Sequence, residues 1–171
     1  AGGANVVDFS SVICDCKTGG SGAGKKAGAA HHDPARYENM GGYRLSGHQH
    51  VMEVERMLGK LAGEAVPVTF TAQVVPVCRG ILSTLYGTLR DGFGPAQVRE
   101  AYGEFHRDNA FVRIYDSKAA IGTAHVRGTN YCNLIVDVDE RTRRLRVVSH
   151  LDNLMKGTAG HRPLYNSDPA D

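Results

Sequence analysis

Apolar and polar positions along the chain fall into short runs of strand character, interrupted by two stretches with helical spacing. "VVDFSSVICDC" is rich in β-branched and apolar residues and predicts a strand. It runs into "KTGGSGAGKKAGAAHHDP", whose glycines and alanines predict a loop closed by Pro34. "YENMGGYRLSGHQ" alternates weakly and predicts a second strand near Tyr43 to Leu45. From Val51 to Leu61, the residues Val51, Val54, Met57, Leu58 and Leu61 recur at helical intervals, with Glu53, Glu55 and Arg56 on the other face. Gly63 is the stop signal for that helix. "VPVTFTAQVVPVCRGILSTLYGTL" divides into two strand-like runs at Pro76, and "PAQVREAYGEFHRD" predicts a second helix with proline in its first turn. Four strand candidates follow: "FVRIYD", "AIGTAHVRG", "NYCNLIVDVDE" and "RLRVVSHLDN", the last two joined as a hairpin. The pattern predicts an α+β fold of six or seven strands and two helices, with the helices on one face of the sheet. The runs "YCNLIVDV" and "GILSTLYG" then leave a large apolar patch on the other face, so the chain is expected to self-associate.

Composition narrows the classes. At 171 residues the chain suits a single domain with a real core. Charged residues at 22% and hydrophobic ones at 42% are the balance of a soluble globular protein. The net charge of +2 is scattered, and the densest basic cluster, "ERTRRLR", falls in the predicted hairpin turn. A nucleic-acid partner would need a broader basic face. No apolar run approaches the roughly 20 residues that span a bilayer. The first residues lack the marks of a signal peptide and a starting methionine, which reads as a processed chain or an excised part of a longer one. Cys14, Cys16, Cys78 and Cys132 have no framework spacing, so reduced thiols in a cytoplasmic setting are expected.

Three places could carry chemistry. Gly19 to Lys25 fits G-x-x-x-x-G-K, but Lys26 stands where a phosphate loop needs a magnesium-binding hydroxyl. Gly22-x-Gly24-x-x-Ala27 resembles a dinucleotide fingerprint, without the full helix and parallel strand that should follow. Linker, partial ligand-contacting loop and phosphate- or nucleotide-binding module all remain open there. Cys14 and Cys16 share one strand face, but neither they nor His48 and His50 have structural-zinc spacing, so core cysteines and no metal are expected. The histidine pair reads either as polar residues at a helix mouth or as a general base, with Glu53 or Glu55 about one turn away as ring-orienting carboxylate.

Taken together, "DCKTGGSGAGKKA", "SGHQHVMEVERML", "VTFTAQVVPVCRGILSTLYG" and "RGTNYCNLIVDVDERTRRLRVVSHLDNLMKGTAG" resemble the C-terminal part of N-acetyl-gamma-glutamyl-phosphate reductase, of the semialdehyde dehydrogenase group. The resemblance spans roughly residues 10 to 160, in the same motif order. It implies a mixed, largely antiparallel sheet and one catalytic and dimerisation domain over residues 1–171, without the preceding NADP-binding domain. The implied reaction is NADPH-dependent reduction of N-acetyl-glutamyl 5-phosphate to the semialdehyde in arginine biosynthesis. A related reductase of lysine biosynthesis, acting on a carrier-linked substrate, is the alternative within the group. His48 matches the acid/base histidine and Glu53 its orienting partner, while His50 and Arg79 are placed at the substrate. Ser21, Gly22, Ala23 and Gly24 are placed against the nicotinamide end of NADP. The expected partners are a small acyl phosphate and further copies of the chain, as dimer or tetramer. The family's nucleophilic cysteine lies before this segment, so the chain alone is expected to be inactive. The tail "GHRPLYNSDPAD" departs from the family pattern.

Overall fold

Side chains of β1 (Val7–Thr18) alternate between two environments, and this alternation decides what the sheet covers. The computed structural model describes residues 5–23 and 37–157; Gly24 and the tail after 157 lie outside the described residues. Val12 and Cys14 enter an apolar cluster, whereas Ile13 is exposed. β1 pairs in parallel with β3 (Thr69–Val74) and antiparallel with β4 (Ile81–Leu89). With β2 (Gly41–Gly42), β5 (Val112–Tyr115), β6 (Cys132–Asp139) and β7 (Arg144–Leu151), the order across the sheet is β2-β3-β1-β4-β7-β6-β5. Only β1–β3 and β5–β6 are parallel, so the seven-stranded sheet is mixed and largely antiparallel, as expected.

Both helices lie on one face. Register places Cys14 beside Leu85, Leu85 beside Val147 and Val147 beside Val136, all on one side. The helix α1 (Gln49–Ala62) packs Val54, Leu58 and Ala62 against Val12, Cys14, Val66 and Val68. The helix α2 (Pro95–Phe105) packs Val98 and Tyr102 against Leu89, Leu134, Val136, Leu145 and Val147. Leu85 joins the two clusters. Gly63 ends α1 in the left-handed conformation at φ 77°, its N–H returning to Gly59 O at 2.9 Å. Pro95 opens α2, where its missing N–H costs nothing.

Four expectations need correction. The second strand is only Gly41–Gly42, because Arg44 turns to φ 47° just after Tyr43 N bonds Ala72 O. "AIGTAHVRG" is not a strand but contains the 3-10 turn Thr123–Val126. Its physical reason is topological: β5 and β6 run parallel, so residues 116–131 must carry the chain back along the sheet. The stripe on α1 is only half core, since Met57 and Leu61 are exposed. Finally, the helix-free face is mixed rather than uniformly apolar. The period of two divides each apolar run between faces, sending Leu134 and Val136 inward and Ile135 and Asp137 outward. Ile13, Leu82, Tyr86, Ile135 and Val148 thus share that face with Asp15, Lys17 and Arg146.

Candidate functional site

At the lower end of the sheet the chain leaves β1 through the 3-10 turn Gly20–Ala23. The amides of Gly19 to Gly22 are already engaged. Gly19 N donates to Gly80 O, Gly20 N to Val77 O and Ser21 N to Cys78 O, each at 2.9 Å, and Gly22 N donates to Gly19 O at 3.4 Å. A phosphate cradle needs such groups free. The amides of Gly19 to Gly22 are therefore not available for one. Gly19 is obligatory for closeness, because a Cβ there would stand 2.8 Å from Arg79 N and Cys78 O. Gly80 holds φ 119°, and a Cβ there would strike Thr123 at 2.7 Å.

Two neighbouring residues lock this junction. Asn153 accepts from Gly80 N at 2.8 Å and donates to Ser21 Oγ at 2.9 Å. Asp152, fully buried, accepts from Gly128 N at 2.6 Å, Leu154 N at 2.8 Å and Met155 N at 3.1 Å. Its Oδ2 also lies 2.8 Å from Arg79 Nε, an ion pair in which the N–H does not aim squarely at the oxygen. Burial pushes the Asp152 carboxyl up, but the Gly128 amide, Arg79 and the two further amides together hold it below 3.8. Neither Asp152 nor Asn153 was found from the sequence, where "HLDN" reads as the end of a strand.

His48 sits higher on the same half of the sheet. It is the N-cap of α1, with φ −66° and ψ 124°, and its Nδ1 accepts from His50 N at 3.3 Å. Tyr43, His50 and Phe70 surround the ring at centroid distances of 5.5, 5.0 and 5.0 Å, leaving the residue 6% exposed. Burial first, then the His50 and Arg44 charges, hold its pKa below 6.5. With Nδ1 accepting, the neutral ring carries its proton on Nε2. Phe70 lies four residues, roughly 13 Å, up β3 from Val74, which Thr18 pairs with just before the glycine turn.

The structure thus gathers Ser21, Gly22, Ala23 and Arg79 at one end, and His48 with the exposed His50 at the mouth of α1. It does not join Glu53 to His48. Glu53 is exposed and makes no hydrogen bond or ion pair among the described residues; the His50 backbone amide holds the ring instead. Glu55 accepts from Val68 N at 2.9 Å and so ties α1 to the approach of β3. No group of three or more metal-binding side chains converges among the described residues. No described helix is long and apolar enough to cross a membrane.

Residues 3–153 match the family model of the semialdehyde dehydrogenase dimerisation domain. The chain belongs to that family. N-acetyl-gamma-glutamyl-phosphate reductases are similar to it over 155 residues: that of Bacillus mycoides at 40% identity and that of Pelotomaculum thermopropionicum at 42%. In each case 91% of this chain is covered and 45% of the relative, so the chain spans just under half their length. Among solved structures, a probable aspartate-semialdehyde dehydrogenase from Pseudomonas aeruginosa superposes with a TM-score of 0.69 at 11% identity, covering 90% of this chain and 52% of that one. Aspartate semialdehyde dehydrogenase II from Vibrio cholerae gives 0.65 at 14% identity, covering 92% and 56%. At these identities the likeness carries the fold alone. Among the described residues, the sheet face opposite α1 and α2 carries no α-helix.

Proposed function

We propose that this dimerisation domain is the carboxy-terminal half of a cytoplasmic N-acetyl-glutamyl-phosphate reductase of arginine biosynthesis, and that His48 is its acid/base group. The observation that carries the reading is His48 itself: a buried imidazole with Nδ1 fixed by a backbone amide and Nε2 left for a substrate oxygen. In the overall reaction a thiolate from outside this chain attacks the acyl carbonyl and phosphate leaves. Hydride then enters the thioester carbon, and collapse of the adduct returns the thiolate and frees the aldehyde. NADPH supplies that hydride when bound. The Gly20–Ala23 turn fits a contact with the neutral nicotinamide end better than a grip on phosphates, because the amides of Gly20, Ser21 and Gly22 are engaged.

This chain's residues then divide the remaining work. His48 Nε2–H donates to the oxygen that gains charge as the carbonyl is attacked, and a pKa below 6.5 keeps the ring neutral and ready to accept a proton in the reverse direction. Arg79 is already paired with Asp152, which fixes its guanidinium beside the turn, where a substrate carboxylate or phosphate can meet its remaining N–H groups. His50, exposed one residue into α1, contacts substrate, and Glu53 on the same turn faces solvent where the substrate's own end can reach it. Copies of the chain pair through the helix-free face.

The test is His48→Asn in the polypeptide that carries this chain with its nucleotide-binding half. Turnover of N-acetyl-glutamyl phosphate, followed by NADPH consumption, should fall about a hundred- to ten-thousandfold with NADPH affinity unchanged. Retention of more than about a tenth of turnover rejects the acid/base role of His48. Loss on His50→Asn alone would move that role to His50.

A further inference from the structure

Cys14 and Cys16 are not used by the reaction above, yet they are the most unusual feature of β1. They stand two residues apart on the helix side of the strand, and their sulfurs lie 3.4 Å from each other. Cys16 is partly exposed and Cys14 is buried. On the neighbouring strand Ser83 faces Cys16 directly in register, its Oγ 3.2 Å from the Cys16 sulfur. As a thiol Cys16 donates to that hydroxyl; as a thiolate it accepts from it and from the Cys14 S–H. A reactive thiolate with a second sulfur behind it is the arrangement of a peroxide-sensing dithiol. Cys78 is more exposed but has no sulfur within reach among the described residues, and Cys132 packs against the core with Ser149 Oγ at 3.3 Å.

We propose that Cys16 and Cys14 form a peroxide-reactive dithiol site, Cys16 being attacked first and Cys14 resolving it into a reversible bond within one strand. In the first step the Cys16 thiolate attacks one oxygen of hydrogen peroxide; the O–O bond breaks, and the leaving hydroxide takes a proton as water. Cys16 is now a sulfenic acid. In the second step the Cys14 sulfur attacks the Cys16 sulfur, the S–O bond breaks, and hydroxide leaves with the Cys14 proton as a second water. The two sulfurs have together given two electrons to the peroxide.

Two further properties fit this assignment. The Cys14 hydrogen bond, opposed by burial and helped by Ser83, brings the Cys16 thiol down to about 7, while that same bond and burial push Cys14 up. The nucleophile and the resolving thiol are thereby distinguished. Residues two apart on a strand have Cα atoms about 6.6 Å apart, at the long end of the range of about 4.4 to 6.8 Å that disulfides bridge. A bond closed there is strained and readily reduced, so the modification is reversible.

The experiment treats the reduced full chain with a stoichiometric amount of hydrogen peroxide, blocks remaining thiols with a maleimide, and maps tryptic peptides by mass spectrometry. The peptide ending at Lys17 carries both cysteines. It should lose the mass of two hydrogens, take up no maleimide, and recover both thiols with dithiothreitol. Cys16 should react at least about tenfold faster than Cys78. In Cys14→Ser, dimedone should trap a sulfenic acid at Cys16, and in Cys16→Ser no rapid oxidation of Cys14 should remain. Oxidation of Cys78 or Cys132 before Cys16 overturns the proposal. So does a Cys16 sulfenic acid in the wild-type chain that persists without closing on Cys14. The wild-type arm decides the matter even where a variant does not fold.

Discussion

Asp152 carries a concentrated electrostatic duty at the scale of a single residue. It is fully buried, takes three backbone amides and faces the Arg79 guanidinium, which is itself partly exposed. Asp152→Asn removes the charge while keeping the size, turns one acceptor into a donor aimed at those amides, and leaves Arg79 without its counter-charge. The expected loss of stability is about 2 to 4 kcal/mol, below the full cost of breaking a buried pair because Arg79 keeps some water. Urea unfolding of the variant measures it, and a change below about 0.5 kcal/mol would show that the junction holds without this carboxylate. Arg79 was singled out only through the family resemblance, as an arginine after the Pro76 break. Asp152 was not, because its importance comes from Gly128 and Arg79, which are distant in the chain and meet it only in the fold.

At the scale of an element, α1 shows how one side chain can serve both structure and chemistry. His48 supplies the cap acceptor for His50 N, and Glu55 fastens the helix to Val68 N. Asparagine is a strong N-cap, so His48→Asn should keep stability within about 0.5 kcal/mol, whereas His48→Leu should lose about 1 kcal/mol with the cap. Equal unfolding midpoints for the two variants would mean that the Nδ1 contact does not support the helix. The helix itself was legible: its spacing and Gly63 placed it within two residues of Gln49–Ala62. Which of its apolar residues are core was not, because Met57 and Leu61 have the same spacing as Leu58 but fall outside the strip that β1 and β3 can reach.

For the whole molecule, two outcomes follow from the sheet and its histidines. The helix-free face brings Val148 beside Ile135 and Thr84 at the centre of the sheet, with the Asp15–Lys17 and Asp137–Arg146 pairs near it. Self-association through this face should be weakened at least about tenfold by Val148→Asp, read by sedimentation velocity. A wild-type chain that stays monomeric at micromolar concentration would remove this face as an interface. The second outcome concerns pH. Burial is the first cause holding His48, His106 and His150 below their ordinary 6.5. The unfolded chain therefore binds more protons than the folded one in the window just under pH 6.5, and stability rises with pH there. That contribution is complete above 6.5 and disappears as pH falls through the folded values. The depressed carboxyl of Asp152 acts separately, at pH below 3.8. Urea midpoints should thus be lower at about pH 5 than at about pH 7.5, and identical midpoints would contradict the histidine burial.

The sequence by itself determined the elements with local causes. Strand alternation, helical spacing, Pro95 at a helix start, Gly63 at a helix end and the turn after Asp139 each need only neighbours a few residues away. The histidine pair and the glycine turn stood out in it as candidate sites, and Arg79 entered only through the family resemblance. Only the tertiary structure decided what those residues can do. The glycine turn has the spacing of a phosphate loop, but carbonyls from residues 77, 78 and 80 occupy its amides, and no local pattern records that. "AIGTAHVRG" reads as strand, yet parallel pairing of β5 and β6 makes it part of a return path. Glu53 has the right helical spacing to orient His48, but a backbone amide already holds the ring. Each of these turns on partners far apart in the chain, and a hydrogen bond between them exists only once the sheet has brought them together.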